Sequence, residues 1–364
     1  MNAPRTIDQV LDLARWAPSG DNTQPWAFEV VDEARAVVHG HDTRDHCVYD
    51  LDGRASQMSL GALLETAAIA ASALGHRLSA TLRGGSPPTR PTFDLLLQAD
   101  DALPADPLAR SIEKRSVQRR PYRTTALTGA QKARLESALG PGHAVRWVEG
   151  ASGRARMAML LFRSARLRLV TQEAYQVHRD VIEWDARYSV DRVPDQALGV
   201  GRPMIALMRF AMASWERVQF FNRFLAGTWM PRLQMDLLPA WACGAHFLIA
   251  ARTAPTRIED QVAAGRAMQR FWLTATDLGL AMQPELTPLI FGRYAREGRP
   301  FSRRPGSLAD AGRVADGLES LLGPDALGLG VFMGRLGRAP EPTSRSLRKP
   351  LDALSHPGPE AGHG

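Results

Sequence analysis

The chain has 364 residues, 45% of them hydrophobic and 23% charged, which fits two domains or one large one and excludes a disordered, collagenous or coiled-coil chain. Two cysteines, Cys47 and Cys243, exclude a disulfide scaffold and a four-cysteine zinc site and fit a reducing compartment. The formal charge is +7, but the 42 arginines and three lysines behind it are spread along the chain, which argues for a compositional bias rather than a nucleic-acid surface.

Residues 1–12 lack an apolar core behind a basic start, so no signal peptide is expected. The most apolar stretches, 203–213 and 237–251, are too short to span a bilayer. A cytoplasmic protein without a membrane partner is the expectation. In chain order, Thr6 and Gln9 have capping-box spacing, and Ile7, Val10, Leu11 and Ala14 recur at helical intervals until Pro18 and Gly20. Residues 26–31 and 36–41 read as strands around a turn at Asp32 and Glu33. An apolar stripe from Leu60 to Leu74, closed by Gly75, predicts a helix, and 92–98 a further strand. Pro104, Pro107 and their acidic neighbours make 100–112 a linker.

A second run then begins. Thr128 and Gln131 form another capping box above Leu135 and Leu139, followed by a strand at 144–148. Residues 154–235 read as mostly helical and 243–251 as a buried strand. Thr256 and Glu259 are expected to cap a long helix that stops at Gly279. Val314, Leu318, Leu321 and Leu322 mark another helix, and 328–335 the last strand. From His356 the Gly/Pro-rich tail reads as disordered. No short-period repeat is present, but both halves share a coarse order of helix, strand, helix, strand, which suggests a tandem duplication.

Three segments carry candidate chemistry. The loop from Ala17 to Trp26 offers amide and hydroxyl side chains that can pair with a planar heterocycle. The run from Lys114 to Tyr122 and the run from Arg345 to Pro350 offer guanidinium forks that match phosphate oxygens. Taken singly, each has a plainer reading: a polar loop, a solvated basic run, a basic tail.

Taken together, they resemble the nitroreductase superfamily of FMN-dependent oxidoreductases. Pro18 to Trp26 matches its P-S-x-x-N-x-Q-P-W loop. Residues 265–273, then Gly279, Leu280, Gln283 and Pro284, look like its long central helix and flavin-facing loop, and Arg348, Lys349 and Pro350 resemble its closing phosphate motif. The resemblance covers roughly 5–100, 110–150 and 240–354. Here the loop precedes the phosphate motif, an order similar to that of the tandem, Acg-like members, in which one chain imitates the dimer.

The resemblance implies an α+β, nitroreductase-like fold: two related halves forming an internal pseudo-dimer, with mixed sheets flanked by helices. The halves would be 1–105 and 106–354, the second with a helical lid insertion at about 155–235, followed by a disordered tail at 355–364. It implies FMN, one per chain, because no phosphate motif precedes Thr6 and no second loop follows Leu139. Lys114, Arg115, Ser116, Arg345 and Arg348 would hold the phosphate end. Pro18, Ser19, Gly20, Asn22 and Gln24 would cover the ring. A backbone N–H after Pro284, from Glu285 or Leu286, would face the flavin N5. Gln118 stands where the family often has Lys or Arg, with Arg119 next.

The implied activity is two-electron hydride transfer through N5 to a small planar substrate, with NAD(P)H as the expected donor. The chain would act as a monomer with its internal pseudo-dimer or as a homodimer. A non-catalytic FMN-storage or redox-sensing protein with a covered flavin is the alternative, and an arginine-rich nucleic-acid binder a third reading.

The remaining candidates are plainer. His39, His41 and His46, beside Asp42 and Cys47, read as surface or turn residues, and no metal site is expected. Glu183 with Asp185, and Asp50 with Asp52, read as turn and cap residues. Gly199 and Gly201 lack the third glycine of a dinucleotide fingerprint. Trp215, Phe220, Phe221, Phe224 and Trp229, among Arg209, Arg217, Arg223 and Arg232, read as a helical cover over the flavin, with a basic amphipathic membrane helix as the weaker alternative.

Overall fold

The computed structural model describes residues 5–224 and 227–356. The first half opens with α1 (Thr6–Ala14), which buries Ile7, Val10, Leu11 and Ala14. Its start differs from the expected capping box. Thr6 is already helical, and Arg5, as the N-cap residue, pairs with Asp8 at 2.8 Å. The hairpin β1 (Trp26–Val30) and β2 (Arg35–Gly40) turns on Asp32, whose carboxylate accepts the amides of Ala34 and Arg35. Then follow α2 (Arg54–Ala73), β3 (His76–Leu82) and β4 (Thr92–Ala99). Asp50 anchors the start of α2 by accepting from Ala55 N at 2.8 Å and Ser56 Oγ at 2.6 Å, the cap role expected of it. The sequence reading missed β3 because its burial only alternates between partial and exposed, leaving a weak apolar signal.

Residues 100–112 are not a loose linker. Pro107–Ser111 forms a 3-10 turn, and Leu108 and Ile112 enter the core. The prolines punctuate the segment, but the apolar residues between them anchor it. The second half continues with α3 (Gly129–Ser137), which carries the expected Thr128 capping box, and β5 (His143–Val148). A long insertion follows: α4 (Gly150–Val170), α5 (Gln172–Val181), the short strands β6 (Ile182–Glu183), β7 (Tyr188–Ser189) and β8 (Val193–Pro194), then α6 (Arg202–Ala211), α7 (Trp215–Phe224), α8 (Trp229–Arg232) and α9 (Leu238–Trp241).

The half resumes with β9 (Ala245–Ala251), α10 (Ile258–Asp277) and β10 (Ala281–Pro284). It ends, after α11 (Thr287–Arg296), α12 (Ser307–Leu322) and α13 (Ala326–Leu329), with β11 (Gly330–Gly337) and β12 (Arg345–Ser346). At α10 the capping carboxylate is Asp260, taking the amides of Thr256 and Arg257 at 3.1 and 2.9 Å; Glu259 was the expected acid.

The two halves repeat one topology. The first runs α1-β1-β2-α2-β3-β4 with strand order β1-β2-β4-β3, antiparallel throughout. The second runs α3-β5-β9-α10-β10-β11 with strand order β5-β9-β11-β10, again antiparallel. The extra helices fall in two hairpin positions, between β5 and β9 and between β10 and β11. Parallel pairing joins β7 with β12 and β6 with β8, and occurs as single bridges at Phe28–Ser355 and Val117–Met282.

The equivalent helices α2 and α10 cross at the centre. Gly61 and Gly265 permit it: a Cβ on Gly61 would lie 2.1 Å from the Val262 carbonyl oxygen, and one on Gly265 2.0 Å from that of Met58. Beside the crossing, buried Glu65 pairs with Arg266 and Arg270 of α10. The expected disordered tail lies outside the described residues beyond His356. Ser355 forms a bridge with Phe28, and the His356 N–H donates to the Phe28 carbonyl at 2.7 Å.

Candidate functional site

Where α2 and α10 emerge from their crossing, a cavity of about 400 Å3 opens between the halves, within the range of cofactor sites, about 300–1,000 Å3. The first half contributes the loop after α1 and the residues Ala55, Met58 and Ser59 of α2. The second half contributes the extended segment around Arg115, residues Met268 and Trp272 of α10, the end of β10, and Phe332 and Arg335 of β11. The insertion adds Leu161, Arg168, His178, Val193, Leu198, Met235 and Asp236, so it forms part of the wall.

The loop after α1 is backbone-strained. Asp21, Asn22 and Gln24 all have left-handed φ, at 48°, 64° and 50°. Such conformations persist only where surrounding bonds over-determine them. Gln24 supplies most of those bonds: its amide donates to the carbonyls of Val190 and Asn22 at 2.9 and 3.1 Å and accepts from Lys349 N at 3.0 Å. Asn22 donates to the Arg192 carbonyl at 3.2 Å, leaving its buried Oδ1 without a protein partner among the described residues. Pro18, Ser19, Gly20 and Asn22 line the cavity, whereas Gln24 is a buried knot behind it.

The second predicted segment is extended and alternates. Arg115, Val117 and Arg119 face the cavity; Lys114 is exposed, and Ser116 and Gln118 do not line it. Gln118 is instead spent on the chain, donating to the Pro340 carbonyl at 2.8 Å and accepting from Arg120 N at 3.1 Å. Val117 bridges Met282 and the Gln118 N–H donates to the Met282 carbonyl, so the segment runs beside β10 and the period-2 geometry selects the odd-numbered residues.

Arg115, Arg345 and Arg348 gather at one end. Among the described residues none of the three pairs with a carboxylate. Arg348 donates to the Ala17 carbonyl at 2.9 Å and Arg345 to that of Glu113 at 2.8 Å, while Arg115 lies 4.6 Å over the Trp272 ring. Arg348 and Arg115 line the cavity; Arg345 stands behind them. Burial and then the neighbouring Arg345 bring Arg348 down to about 9, and burial with Arg348 and Arg345 pushes Arg115 well below its usual value. Three crowded, partly desolvated cations with unused donors, the Nε of Arg115 and of Arg345 among them, make an anion site.

The other end is mixed in charge. Arg168 pairs with Asp236 at 2.7 Å, and the Tyr49 hydroxyl meets His178 Nε2 at 3.0 Å. Burial, reinforced by Arg168, brings His178 down to about 3 and keeps it neutral. Glu285 sits between His246 and Arg335, 2.8 Å from each, all three buried. The other His246 nitrogen faces the Ala240 carbonyl at 2.8 Å, so both ring nitrogens meet acceptors.

Two of the predicted donors differ. The Glu285 N–H is spent on the Met333 carbonyl at 2.9 Å, whereas that of Leu286 has no acceptor among the described residues. Gln283, expected in the loop behind the central helix, lines the cavity with its buried Oε1 unpartnered among the described residues, whereas Arg335, Trp272 and Phe332 were not assigned to the site from the sequence. β11 is buried along its whole length, so no period-2 pattern in the sequence singled out Phe332. His39 binds Glu29 at 2.8 Å and stacks on His356, and His46 binds Asp45 at 2.5 Å, so the histidines expected as surface or turn residues are held by local partners.

The buried triad sets a pH dependence. Burial opposes charge on His246, but the Glu285 carboxylate outweighs it and raises the group to about 10. Its contribution is complete below 6.5, the ordinary histidine value, and is lost as pH rises towards 10. Burial likewise opposes charge on Glu285, yet His246 and Arg335 hold it below 4.5, so its contribution is present above that value and is lost as pH falls further. Urea midpoints of the wild type should therefore decline from pH 6.5 to 10, and His246→Gln should lack that limb. An equal decline in both proteins would contradict the assignment.

No protein-family model matches the chain. It is 29% identical over 289 residues, 78% of this chain and 77% of the relative, to the Mycobacterium tuberculosis (H37Rv) protein named "Putative NAD(P)H nitroreductase Rv3131". It is 24% identical over 359 residues, 97% of this chain, to "Uncharacterized protein MT1398" of M. tuberculosis (CDC 1551), of which it spans 48%. In sequence the chain is thus similar to a protein named a putative NAD(P)H nitroreductase. A solved structure, the "FMN-dependent nitroreductase NfnB from Mycobacterium smegmatis in complex with NADPH", aligns with 69% of this chain and 97% of its own at 16% identity, with a TM-score of 0.36.

Proposed function

We propose that the chain is an FMN-dependent oxidoreductase built as a tandem pair of halves, 1–105 and 106–354, with one flavin in the cavity between them. The observation that carries this reading is the polarity of the cavity. One end holds the unpaired Arg115–Arg345–Arg348 cluster, suited to a phosphate. The rest is a slot walled by Trp272, Phe332 and Met58 with unpartnered amide oxygens at Asn22 and Gln283, suited to the flat, N–H-bearing edge of a flavin ring. Bound FMN would supply two-electron redox chemistry. Arg115 and Arg348 would hold its phosphate, the Asn22 loop would cover one face, and the Leu286 N–H would be the donor available beside the reacting edge.

Arg119 and Arg335 would stand where the sequence offers Gln118, supplying positive charge at the far end of the cavity. A single site per chain follows from the loops. The strained loop between α1 and β1 occupies residues 15–25, but its counterpart between α3 and β5 is only 138–142. The insertion, through Leu161, Arg168, His178 and Met235, would narrow access, which suits a small planar acceptor with NAD(P)H as donor.

The test is direct. Purified protein should show a flavin spectrum and release one FMN per chain on denaturation; colourless protein that takes up no FMN, or a ratio of two, overturns the reading. Stopped-flow mixing with NADH or NADPH should bleach the flavin. A bound flavin that stays oxidised would leave a storage or sensing role in place of turnover.

A further inference from the structure

We propose that α6, α7 and the segment 229–241 form a docking face for an anionic bilayer surface. Eight of the thirteen large apolar residues exposed among the described residues fall between 207 and 241. Phe210, Phe220, Phe224 and Trp229 are each more than half exposed. Isolated exposed apolar residues are ordinary; a concentration of this kind marks an interaction surface.

Helix α6 shows why the surface is incomplete. Its inner face, Met204, Ile205 and Met208, packs on a small core of Ile182, Val193, Leu198 and Val200. Its outer face, Pro203, Ala206, Leu207 and Phe210, follows the i, i+3, i+4, i+7 rule and faces solvent. A helix apolar on both faces belongs inside a core or against a nonaqueous phase. Phe220 and Phe224 extend the exposed stripe one turn apart on α7.

Charge selects the occupant. Residues 199–235 hold the exposed cations Arg202, Arg217 and Arg223, with no carboxylate partner among the described residues, and Arg209, paired with Asp185, against a single acid, Glu216. Arg217 and Arg223 lie over the rings of Phe210 and Phe224 at 4.6 and 5.3 Å, apolar stems along the aromatic surface and heads at its rim. Aromatic anchors edged by arginine suit an acyl boundary beneath anionic headgroups. A second copy of the chain fits less well, because a two-fold contact sets each patch against itself and opposes arginine to arginine. No helix of the described residues is long and apolar enough to cross a membrane, so the face lies on the bilayer rather than through it. It shares Val193 and Leu198 with the cavity wall, yet the inference stands whether or not flavin binds.

The experiment is co-sedimentation of the full chain with phosphatidylcholine vesicles, with and without phosphatidylglycerol. The chain should pellet with the anionic vesicles only, and added salt should release it. Arg217→Gln and Arg223→Gln should each weaken partitioning about fivefold. The triple variant Phe210→Ser, Phe220→Ser, Phe224→Ser should stay in the supernatant with an unchanged melting temperature; Phe224→Ser alone serves if the triple variant does not fold. Failure of the wild type to pellet with anionic vesicles, or equal pelleting of the serine variants, overturns the proposal. So does a solution dimer that the serine variants dissociate, which would assign the face to a second copy.

Discussion

Replacing Gly265 with valine should abolish folding, and Gly265→Ala should lower stability by about 3 kcal/mol or more, on the scale of a core overpacking defect. Glycine inside a helix ordinarily costs about 0.5–1 kcal/mol relative to alanine, so alanine would be the better residue if it fitted. It does not fit, because the added Cβ meets the Met58 backbone at 2.0 Å, and backbone cannot step aside as a flexible side chain can. Separating α2 and α10 would also pull Glu65 from Arg266 and Arg270 and open the cavity wall that Met58 and Met268 share. Gly61→Ala should behave alike, since its Cβ would meet the Val262 carbonyl. The control is Gly312→Ala in α12, where the space is open and the change should stabilise by about 0.5–1 kcal/mol. Urea denaturation of the three alanine variants checks this; a Gly265→Ala protein as stable as the wild type would refute the close crossing.

Arg115→Gln should weaken FMN binding about 10- to 150-fold, the loss of a charged hydrogen bond worth about 1.5–3 kcal/mol, while leaving the apo-protein at least as stable. The two effects separate because Arg115 has no carboxylate partner among the described residues and is repelled by Arg348 and Arg345, so the anion is what it lacks. Inorganic phosphate should raise the melting temperature of the wild-type apo-protein by preferential binding to the folded state, and should do so less in Arg115→Gln. Fluorescence titration with FMN and a thermal scan in phosphate check both. An apo-protein destabilised by Arg115→Gln with unchanged FMN affinity would make the cluster structural.

Much of this site was legible in the chain because its parts are local signals. Pro18, Ser19, Gly20 and Asn22 lie within one loop, and Arg115 and Arg119 within one basic run; each segment alone also read as a polar loop or a solvated basic run, and only their combination pointed to a ring and a phosphate. Side-chain direction was not legible. Lys114, Ser116 and Gln118 are as suitable by type as Arg115 and Arg119, yet the extended backbone beside β10 turns the even-numbered residues away. The Glu285 N–H was equally suitable until the β11 neighbour Met333 took it.

Periodicity and punctuation determined which segments became helices and strands, since an apolar stripe at 3.6- or 2-residue spacing needs only its own neighbours to declare itself. The order of elements in each half could be read that way except for the strands β3 and β10, which no apolar pattern announced. The repeat of one strand order in two sheets, the contact of Gly61 with α10, the Glu285–His246–Arg335 triad and the unpartnered face of α6 were decided by tertiary structure alone. Each depends on groups distant in sequence meeting at a distance of a few ångströms, and a one-dimensional pattern holds no record of that meeting until backbone geometry and packing impose it.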